Sequence, residues 1–172
     1  MKTYICEICG DAYLGENKPS ECPFCGAGDN YIKAGDEAKP VILEDIEISE
    51  VSLKNLQETL SLEMRANAIY LCMAGNASTY ELKSMYKRLA KVELEHASLV
   101  CKIMKIEMPE SEEESCSEED VENFKATIEL EEHASSLYHR FAKDSTEEPF
   151  KRMFAALAIA EEKHIELIKN YL

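Results

Sequence analysis

The sequence lacks the features that would direct it to a membrane, an export pathway or a nucleic acid. None of its apolar runs reaches the roughly 18 residues that a membrane-spanning helix needs. Its first ten residues, MKTYICEICG, contain neither a long apolar stretch nor a small-residue cleavage site, so no secretory signal is predicted. The formal net charge of −15 would repel a phosphate backbone, which excludes nucleic acid as an expected partner.

Cysteine, in contrast, is abundant, with seven residues in a chain of 172. Four of them form two Cys-x-x-Cys pairs near the start of the chain: Cys6, Cys9, Cys22 and Cys25. The odd total and the lack of an export signal predict a reducing, cytoplasmic location, where such pairs hold a metal ion rather than form disulfides. The three remaining cysteines are predicted to be packed or exposed thiols: Cys72, Cys101 and Cys116.

Each Cys-x-x-Cys pair lets two thiolates reach one ion from a tight turn. Gly10 and Gly26 directly follow the second cysteine of each pair and suit the backbone bend of such a turn. Four thiolates in tetrahedral geometry suit zinc or a single iron, and the cysteines alone do not choose between the two metals. A structural zinc ribbon, which staples a segment too small to have its own core, is therefore one interpretation.

Composition predicts three segments along the chain. Residues 1–36 form a small metal domain, residues 37–49 a linker, and residues 50–172 a helical domain. The linker carries the apolar run Val41-Ile42-Leu43, so it is predicted to pack against the protein rather than act as a free tether. Only one glycine follows residue 50, in a region rich in the helix formers Leu, Met, Ala, Glu and Lys.

Apolar residues recur at three- and four-residue steps in this region, and breaks in the pattern predict four helices of about 22–28 residues. The breaks fall at residues 75–78, 109–114 and 145–149. Ser49 or Ser52 is predicted to cap the first helix. Ser115 or Ser117 is predicted to cap the third. The expected fold is mainly α, a four-helix bundle preceded by the small cysteine domain.

The helical region contains an internal repeat with a shift of 68 residues. Each half carries a glutamate, a tyrosine seven residues later, and a Glu-x-x-His motif on the following helix. The first half supplies Glu63, Tyr70, Glu93 and His96. The second half supplies Glu131, Tyr138, Glu161 and His164. The spacing from the lone glutamate to the Glu-x-x-His motif is identical in both halves, which places the carboxylates at the same depth in each helical hairpin.

The repeated glutamates lie on the apolar faces of their helices, where a carboxylate costs several kcal/mol unless it is paired or bound to metal. No lysine or arginine repeats on these faces to neutralise them. One Glu from each of two helices, with Glu-x-x-His from each of the other two, is the ligand set of ferritin-like di-iron or di-manganese bundles. The pattern therefore predicts a two-metal site with Glu63, Glu93, His96, Glu131, Glu161 and His164 as ligands.

Several neighbouring residues lie outside this set of six ligands. Tyr70 and Tyr138 are placed either to hydrogen-bond a ligand carboxylate or to pack in the core. Glu129 and Glu132 are expected on solvated faces, and either would join the site only through a local distortion of the third helix. His133 is expected at the edge of the bundle.

The six predicted bundle ligands and the two Cys-x-x-Cys pairs together resemble the rubrerythrin family. The strings LEMRANAIY and ALAIAEEKH, which contain Glu63 and Glu161 to His164, are similar to that family's helix signatures. The strings YICEICG and CPFCGA are similar to its rubredoxin-like Fe(Cys)4 domain, and their N-terminal position resembles the reverse rubrerythrins. The typical family member has a further glutamate one turn along the third helix, where this chain has Ala134. The site is therefore predicted to be one carboxylate poorer.

The resemblance implies a peroxidase-type oxidoreductase with one iron (or zinc) in the cysteine site and two irons (or manganese or zinc) in the bundle. Electrons would come from rubredoxin or an NAD(P)H-dependent rubredoxin reductase and pass through the Fe(Cys)4 centre to reduce hydrogen peroxide to water. A homodimer or larger homo-oligomer is implied, with one subunit's cysteine centre approaching the other's bundle site. Two alternatives stay open: a ferroxidase that uses oxygen, and a non-enzymatic zinc-ribbon bundle used for binding.

Overall fold

The computed structural model describes residues 1–42 and 46–172. A small sheet comes first and four long helices follow it. The strands are β1 (Lys2–Cys6), β2 (Ala12–Gly15) and β3 (Ile32–Ala34), and the helices are α1 (Glu50–Asn76), α2 (Tyr80–Met104), α3 (Asp120–Asp144) and α4 (Glu148–Lys169). No helix among these described residues is long and apolar enough to cross a membrane.

Residues 1–42, called the four-cysteine unit below, are built around an antiparallel sheet with β1 between β2 and β3. Two tight turns carry the cysteine pairs. The Cys6 carbonyl accepts a hydrogen bond from the Gly10 amide at 2.9 Å, and the Cys22 carbonyl accepts one from the Gly26 amide at 3.0 Å. Gly10 and Gly26 have φ angles of 86° and 71°, which confirms the predicted need for glycine at both turns.

The four helices form two hairpins, α1 with α2 and α3 with α4, and α1 also packs along α3. This agrees with the predicted ferritin-like bundle. The four-cysteine unit lies against α4 at a point of close approach, since a Cβ atom on Gly26 would lie 3.0 Å from the Cβ of Ala160. Gly26 therefore serves both the cysteine turn and the contact with the bundle, and a side chain there would push the unit away from α4.

The start of α1 is fixed by a carboxylate from the other hairpin. Ser49 caps α1, as predicted, by accepting a hydrogen bond from the Ser52 amide at 3.3 Å. Glu147 then accepts from the Ser49 amide at 2.6 Å and from the Ser52 hydroxyl at 2.5 Å. Although partial burial acts in the opposite direction, these hydrogen bonds lower the pKa of Glu147 to about 2.

The predicted cap of α3 is wrong. Neither Ser115 nor Ser117 caps this helix, whose N-cap is Glu119, a residue without a side-chain capping bond. Ser117 instead exchanges two hydrogen bonds of 3.0 Å with the side chain of Asn123. Asn123, in the first turn of α3, thus fixes the segment that precedes the helix through its side-chain amide. The preference for serine at helix N-caps does not predict this contact.

The predicted linker packs onto the four-cysteine unit at its described start. Val41 is buried, and its amide donates to the Glu7 carbonyl at 2.9 Å. Ile42 is partly buried against the same core. The packing expected of residues 41–43 is therefore confirmed at Val41 and Ile42, while Leu43 lies outside the described residues.

The prediction of thiols at Cys72 and Cys116 is wrong. The two residues form a disulfide between α1 and the connection that leads to α3, with their Cα atoms 6.0 Å apart. Asn76, at the end of α1, donates to the Ser117 carbonyl at 3.1 Å and holds the same connection. Cys101 is a buried free thiol, as expected. A disulfide is uncommon in a reducing cytoplasm, and the cytoplasmic location stays a prediction.

Candidate metal centres

The structure brings all six predicted bundle ligands into one buried cluster at the centre of the four helices. This two-metal cluster consists of Glu63 from α1, Glu93 and His96 from α2, Glu131 from α3, and Glu161 and His164 from α4. Each of the six residues is less than a tenth exposed. The repeat explains the convergence, because equal spacing along both hairpins places the side chains at one level.

One half of the cluster is centred on His96. Its Nδ1 atom lies 3.3 Å from Glu63 Oε1, 3.2 Å from Glu93 Oε2 and 3.2 Å from Glu161 Oε1. These four residues form a group of ligand atoms that all lie within 4.8 Å of one another. Three carboxylates and one imidazole suit a first divalent ion of the iron or manganese type.

The other half repeats this arrangement around His164. Its Nδ1 atom lies 3.4 Å from Glu93 Oε1, 3.2 Å from Glu131 Oε1 and 2.9 Å from Glu161 Oε2. Glu93 and Glu161 thus present one oxygen to each half. They are placed to bridge two ions, whereas Glu63 and Glu131 each face a single half.

The cluster fits two divalent cations better than it fits a network of hydrogen bonds. Both carboxylate oxygens of Glu93 and Glu161, and the Nδ1 atoms of both histidines, have no hydrogen-bond partner among the described residues. They approach one another closely but without hydrogen-bond geometry. Buried polar atoms are almost always partnered in proteins, so six unpartnered ones aimed at a common centre indicate ligands for metal.

The pKa shifts in the cluster have two causes: its side chains are buried away from water, and several carboxylates lie close together. Burial, followed by the charges of Glu161 and Glu131, raises the pKa of Glu93 well above its usual range. Burial alone would lower the pKa of His96, but the carboxylates around it, Glu161 first, hold that pKa well above the usual value. Protons therefore compete with cations for this cluster, and metal binding is coupled to proton release.

The two predicted tyrosines bond to ligand carboxylates, each to the glutamate of the opposite hairpin. The Tyr70 hydroxyl donates to Glu131 Oε1 at 2.5 Å. The Tyr138 hydroxyl makes a short hydrogen bond to Glu63 Oε1. The crossed pattern shows that α1 and α3 run antiparallel, and each tyrosine orients the oxygen that faces one half of the cluster.

The four predicted cysteine ligands are also brought together. The Sγ atoms lie 3.7 Å apart for Cys6 and Cys25 and 3.8 Å apart for Cys9 and Cys22, and all four lie within 4.8 Å of one another. Contacts from the other thiols, Cys25 first, lower the pKa of Cys22, which favours a thiolate. This cluster fits one iron, and the bundle cluster fits two.

The contact between the two clusters could not be predicted from sequence. The Nε2–H group of His96 donates to the Cys25 carbonyl at 2.9 Å, so a predicted bundle ligand touches a predicted cysteine ligand within one chain. This bond fixes the ring tautomer and leaves Nδ1 free for metal. Glu95 also lies in this junction beside Asp11, where burial and then the Asp11 charge raise the pKa of Glu95 to about 7.

Three residues left open by the sequence lie away from the two-metal cluster. Glu129, Glu132 and His133 are exposed. α3 continues through them as an unbroken α-helix, without the distortion that would turn Glu129 or Glu132 inward. Ala134, at the position where the typical family member has a further glutamate, is buried. The described cluster therefore contains four carboxylates.

Comparison with known proteins connects this geometry to a family. The rubrerythrin family model matches residues 54–130, a range that contains Glu63, Glu93 and His96. This part of the bundle is similar to the rubrerythrin family. Reverse rubrerythrin-1 of Clostridium acetobutylicum is 33% identical to this chain over 113 residues, which cover 60% of this chain and 62% of that protein. No solved structure gives a significant match.

These comparisons confirm the predicted resemblance to a reverse rubrerythrin, with the four cysteines ahead of the helical domain. The matched family range ends just before Glu131, and the chain spans 62% of the length of its relative. The second half of the two-metal cluster, with Glu131, Glu161 and His164, is therefore inferred from the internal repeat and the geometry.

Proposed function

We propose that this rubrerythrin-like chain reduces hydrogen peroxide to water at the two-metal cluster, with electrons supplied through the four-cysteine site. The observation that carries the proposal is the hydrogen bond from His96 to the Cys25 carbonyl, which joins the two clusters. A structural zinc ribbon would need no such contact with a ligand of a second metal site. Two joined clusters suit electron transfer followed by a reaction.

The chain's own residues would hold three irons. Cys6, Cys9, Cys22 and Cys25 would hold one iron, and the two-metal cluster would hold two, with Glu93 and Glu161 as shared ligands. When bound, the paired irons supply the redox chemistry that divides the two-electron reduction of peroxide between two metal ions. The bundle excludes bulk water from this chemistry, since all six ligands are buried.

Tyr70 and Tyr138 would keep the carboxylates in position during the reaction. Each hydroxyl donates to the oxygen of the glutamate that serves a single half of the cluster, Glu131 or Glu63. Burial is the main reason why the pKa of both tyrosines lies well above its usual range, so both stay protonated donors at neutral pH. Their proposed role is to position ligands.

The electron path proposed here lies within one chain. The resemblance to rubrerythrin implies a different path, in which the cysteine centre of one subunit approaches the bundle site of another. In the described chain the Cys25 carbonyl already touches His96, and Gly26 lies against Ala160 of α4. A homo-oligomer is still expected from the resemblance, but the proposed transfer does not require the second subunit.

The proposal also includes an electron donor and a cellular location for the chain. We infer that rubredoxin or an NAD(P)H-dependent rubredoxin reductase supplies electrons to the four-cysteine site, and that the chain acts in the cytoplasm as a homodimer or larger assembly. The resemblance to reverse rubrerythrin supports this reading.

The proposal is tested by the oxidant preference of the reduced, iron-loaded protein. Hydrogen peroxide should reoxidise it faster than air does, and the red ferric-thiolate colour should return. Glu131→Ala should abolish this preference because it removes a ligand of one half of the cluster. Glu132→Ala, one residue along and exposed, is the matched control and should behave like wild type. Equally fast oxidation by air would favour a ferroxidase, and a colourless protein holding zinc would refute the electron-transfer role.

Mixed subunits test the path within one chain. Cys25→Ser removes the cysteine centre and Glu131→Ala disables the bundle site. If transfer stays within a chain, a mixture of the two variants, refolded together, should have no peroxidase activity above the sum of the separate variants. Recovery of activity in the mixture would show that electrons cross between subunits.

A further inference from the structure

The connection between α2 and α3 is strongly acidic and has little regular structure. Residues 107–119, called the acidic connection below, contain seven glutamates and no lysine or arginine. Residues 107–118 lie in no helix or strand and make no hydrogen bond between backbone groups. Like charges repel one another, and the backbone does not hold this stretch in place. Contacts with neighbouring elements therefore decide where the acidic connection lies.

The disulfide is the firmest of the described contacts between the acidic connection and α1. It joins Cys72 of α1 to Cys116. One turn along α1, the Asn76 side chain donates to the Cys116 sulfur at 3.4 Å and to the next carbonyl at 3.1 Å. Arg65 bonds to Glu114 at 3.0 Å, but its side chain is largely exposed, and exposed ion pairs contribute little.

This pair differs from the other cysteines in its access to reagents. Cys72 and Cys116 are both partly exposed. The other five cysteines are buried free thiols, and four of them are the predicted metal ligands. Oxidants and reductants in solution therefore reach the Cys72–Cys116 pair more easily than any other cysteine of the chain. A disulfide that solvent can reach is open to thiol–disulfide exchange.

The surroundings also favour closing the disulfide again after reduction. The Cα atoms of Cys72 and Cys116 lie 6.0 Å apart, a usual distance for a disulfide. The two hydrogen bonds from Asn76 would keep the reduced Cys116 beside Cys72. Hydrogen bonding to the charged form of a group favours that form, so the Asn76 amide also favours a Cys116 thiolate. An uncharged oxidant is not repelled by the glutamates nearby.

We propose that Cys72 and Cys116 form a reversible redox site that hydrogen peroxide closes and a dithiol opens, and that this site sets how firmly the acidic connection is held on α1. The Cys116 thiolate attacks one peroxide oxygen and becomes a sulfenic acid. The O–O bond breaks, and the departing hydroxide takes up the proton that Cys116 had lost and forms water. Cys72 then attacks the Cys116 sulfur, the S–S bond forms, and the sulfenic oxygen leaves with the Cys72 proton as a second water.

The reverse step needs two electrons and two protons. A dithiol supplies both, because its two thiols become a disulfide while Cys72 and Cys116 become thiols again. Neither metal cluster takes part in either direction. The redox site therefore goes beyond the proposed function and does not depend on it.

Reduction should loosen the acidic connection. A cavity of about 550 Å³ separates it from α1 near Leu60 and Met64, so this part of the connection is not tightly packed. With the disulfide open, the hydrogen bonds of Asn76 and the exposed pair of Arg65 with Glu114 remain on the α1 side. Repulsion among the glutamates acts against these contacts.

The chemistry is tested with the full-length, iron-loaded protein, which is reduced with dithiothreitol, desalted and exposed to hydrogen peroxide. Alkylation and peptide mass spectrometry then count the thiols at Cys72 and Cys116. Dithiothreitol should free both thiols in the folded protein, and peroxide should restore the disulfide within the chain. Asn76→Ala should slow this closure by about 10-fold, because it removes the hydrogen bonds that hold Cys116 in place. Asn170→Ala, an exposed asparagine of α4, is the matched control.

Zinc-loaded protein separates this step from iron chemistry. It contains no redox-active metal, so one molecule of peroxide per chain should close the disulfide, at the rate seen with iron. Closure in the iron-loaded protein alone would overturn the proposal, since the bundle metals would then be the oxidant. A disulfide that resists dithiothreitol in the folded protein would overturn it too. So would peroxide that gives sulfonic acid or linked chains instead of the disulfide.

The hold on the acidic connection is tested with a glutamate-specific protease. Cleavage after Glu112, Glu113 or Glu114 should be at least about 10-fold faster in reduced than in oxidised wild type, because cleavage follows the population of the open form. Cys72→Ser should be cleaved at the fast rate with or without reductant. Equal cleavage in both states of the wild type would overturn the control of the acidic connection. A disulfide that cycles in a protein without peroxidase turnover would support the redox site and refute only the proposed function.

Discussion

Replacement of Glu93, the proposed bridging carboxylate, by glutamine should affect the metal-free and metal-loaded proteins in different ways. In the metal-free protein, both carboxylate oxygens of Glu93 are buried without a hydrogen-bond partner among the described residues. Burial and the neighbouring carboxylates already raise the pKa of Glu93 well above its usual range. Glu93→Gln keeps the shape and removes the charge. The free energy of unfolding of the metal-free variant should therefore be unchanged or higher by about 1 kcal/mol.

With metal the effect should reverse, because Glu93 presents one oxygen to each half of the cluster. An ion that binds only the folded state stabilises it by about 2.7 kcal/mol at a free concentration of about 100 times its dissociation constant, so two ions contribute about 5 kcal/mol. Changes around metal ligands weaken binding by about 10–100-fold, and loss of a ligand should reach the upper end. At the same free metal concentration, each ion would then raise the free energy of unfolding of the variant by only about 0.4 kcal/mol.

The assay is urea unfolding at pH 7 followed by circular dichroism, with and without a divalent ion such as Mn²⁺. Wild type should gain about 5 kcal/mol from the metal and Glu93→Gln less than about 1 kcal/mol. Glu129→Gln, an exposed glutamate on α3, is the control and should match wild type. A Glu93→Gln variant that gains as much stability from metal as wild type would show that Glu93 is not a bridging ligand.

Three further predictions concern other contacts. Tyr138→Phe removes the hydrogen bond to Glu63 and should weaken Mn²⁺ binding by about 10-fold or more in a calorimetric titration; unchanged affinity would contradict the positioning role. Glu147→Gln should lower the free energy of unfolding by about 1 kcal/mol at pH 7. Because the folded-state pKa of Glu147 is lowered to about 2, its contribution exists above the unfolded pKa of about 4.3 and should vanish as the pH falls towards 2; a constant difference would refute this. Cys72→Ser opens a 44-residue loop and should cost up to about 4 kcal/mol under non-reducing conditions. A reductant should abolish that difference, and its persistence would show that no disulfide had formed.

The two-metal cluster could be predicted from the sequence because its residues occur at equivalent positions of an internal repeat. Glu63 and Glu131 occupy equivalent positions in two hairpins, and a Glu-x-x-His motif is confined to one helical face. Helical spacing is a local property, so the ligands of each hairpin follow from it directly. The same holds for the cysteine turns, where the positive φ angles of Gly10 and Gly26 follow from the bend between metal ligands.

The contacts between segments could not be predicted in this way. The pairing of Cys72 with Cys116 depends on the path of the connection between α2 and α3, and that path has no periodic pattern. The hydrogen bond from His96 to Cys25 joins a side chain to a backbone carbonyl. Every residue has such a carbonyl, so the sequence does not indicate which one His96 contacts. The sequence predicts that each tyrosine could bond to a ligand carboxylate. That each bonds to the glutamate of the opposite hairpin depends on the antiparallel direction of α1 and α3, which the sequence does not give.

An anaerobic titration of the fully reduced, iron-loaded protein with hydrogen peroxide tests the central claim most directly. The account predicts three irons in each chain, one among the cysteines and two in the bundle. Each peroxide molecule takes two electrons, so two chains should consume three molecules of peroxide, and the ferric-thiolate absorbance should return fully by that endpoint. Consumption of only one molecule for every two chains, with the same return of absorbance, would mean that the cysteine iron reacts alone. That result would contradict a peroxide-reducing centre in the bundle.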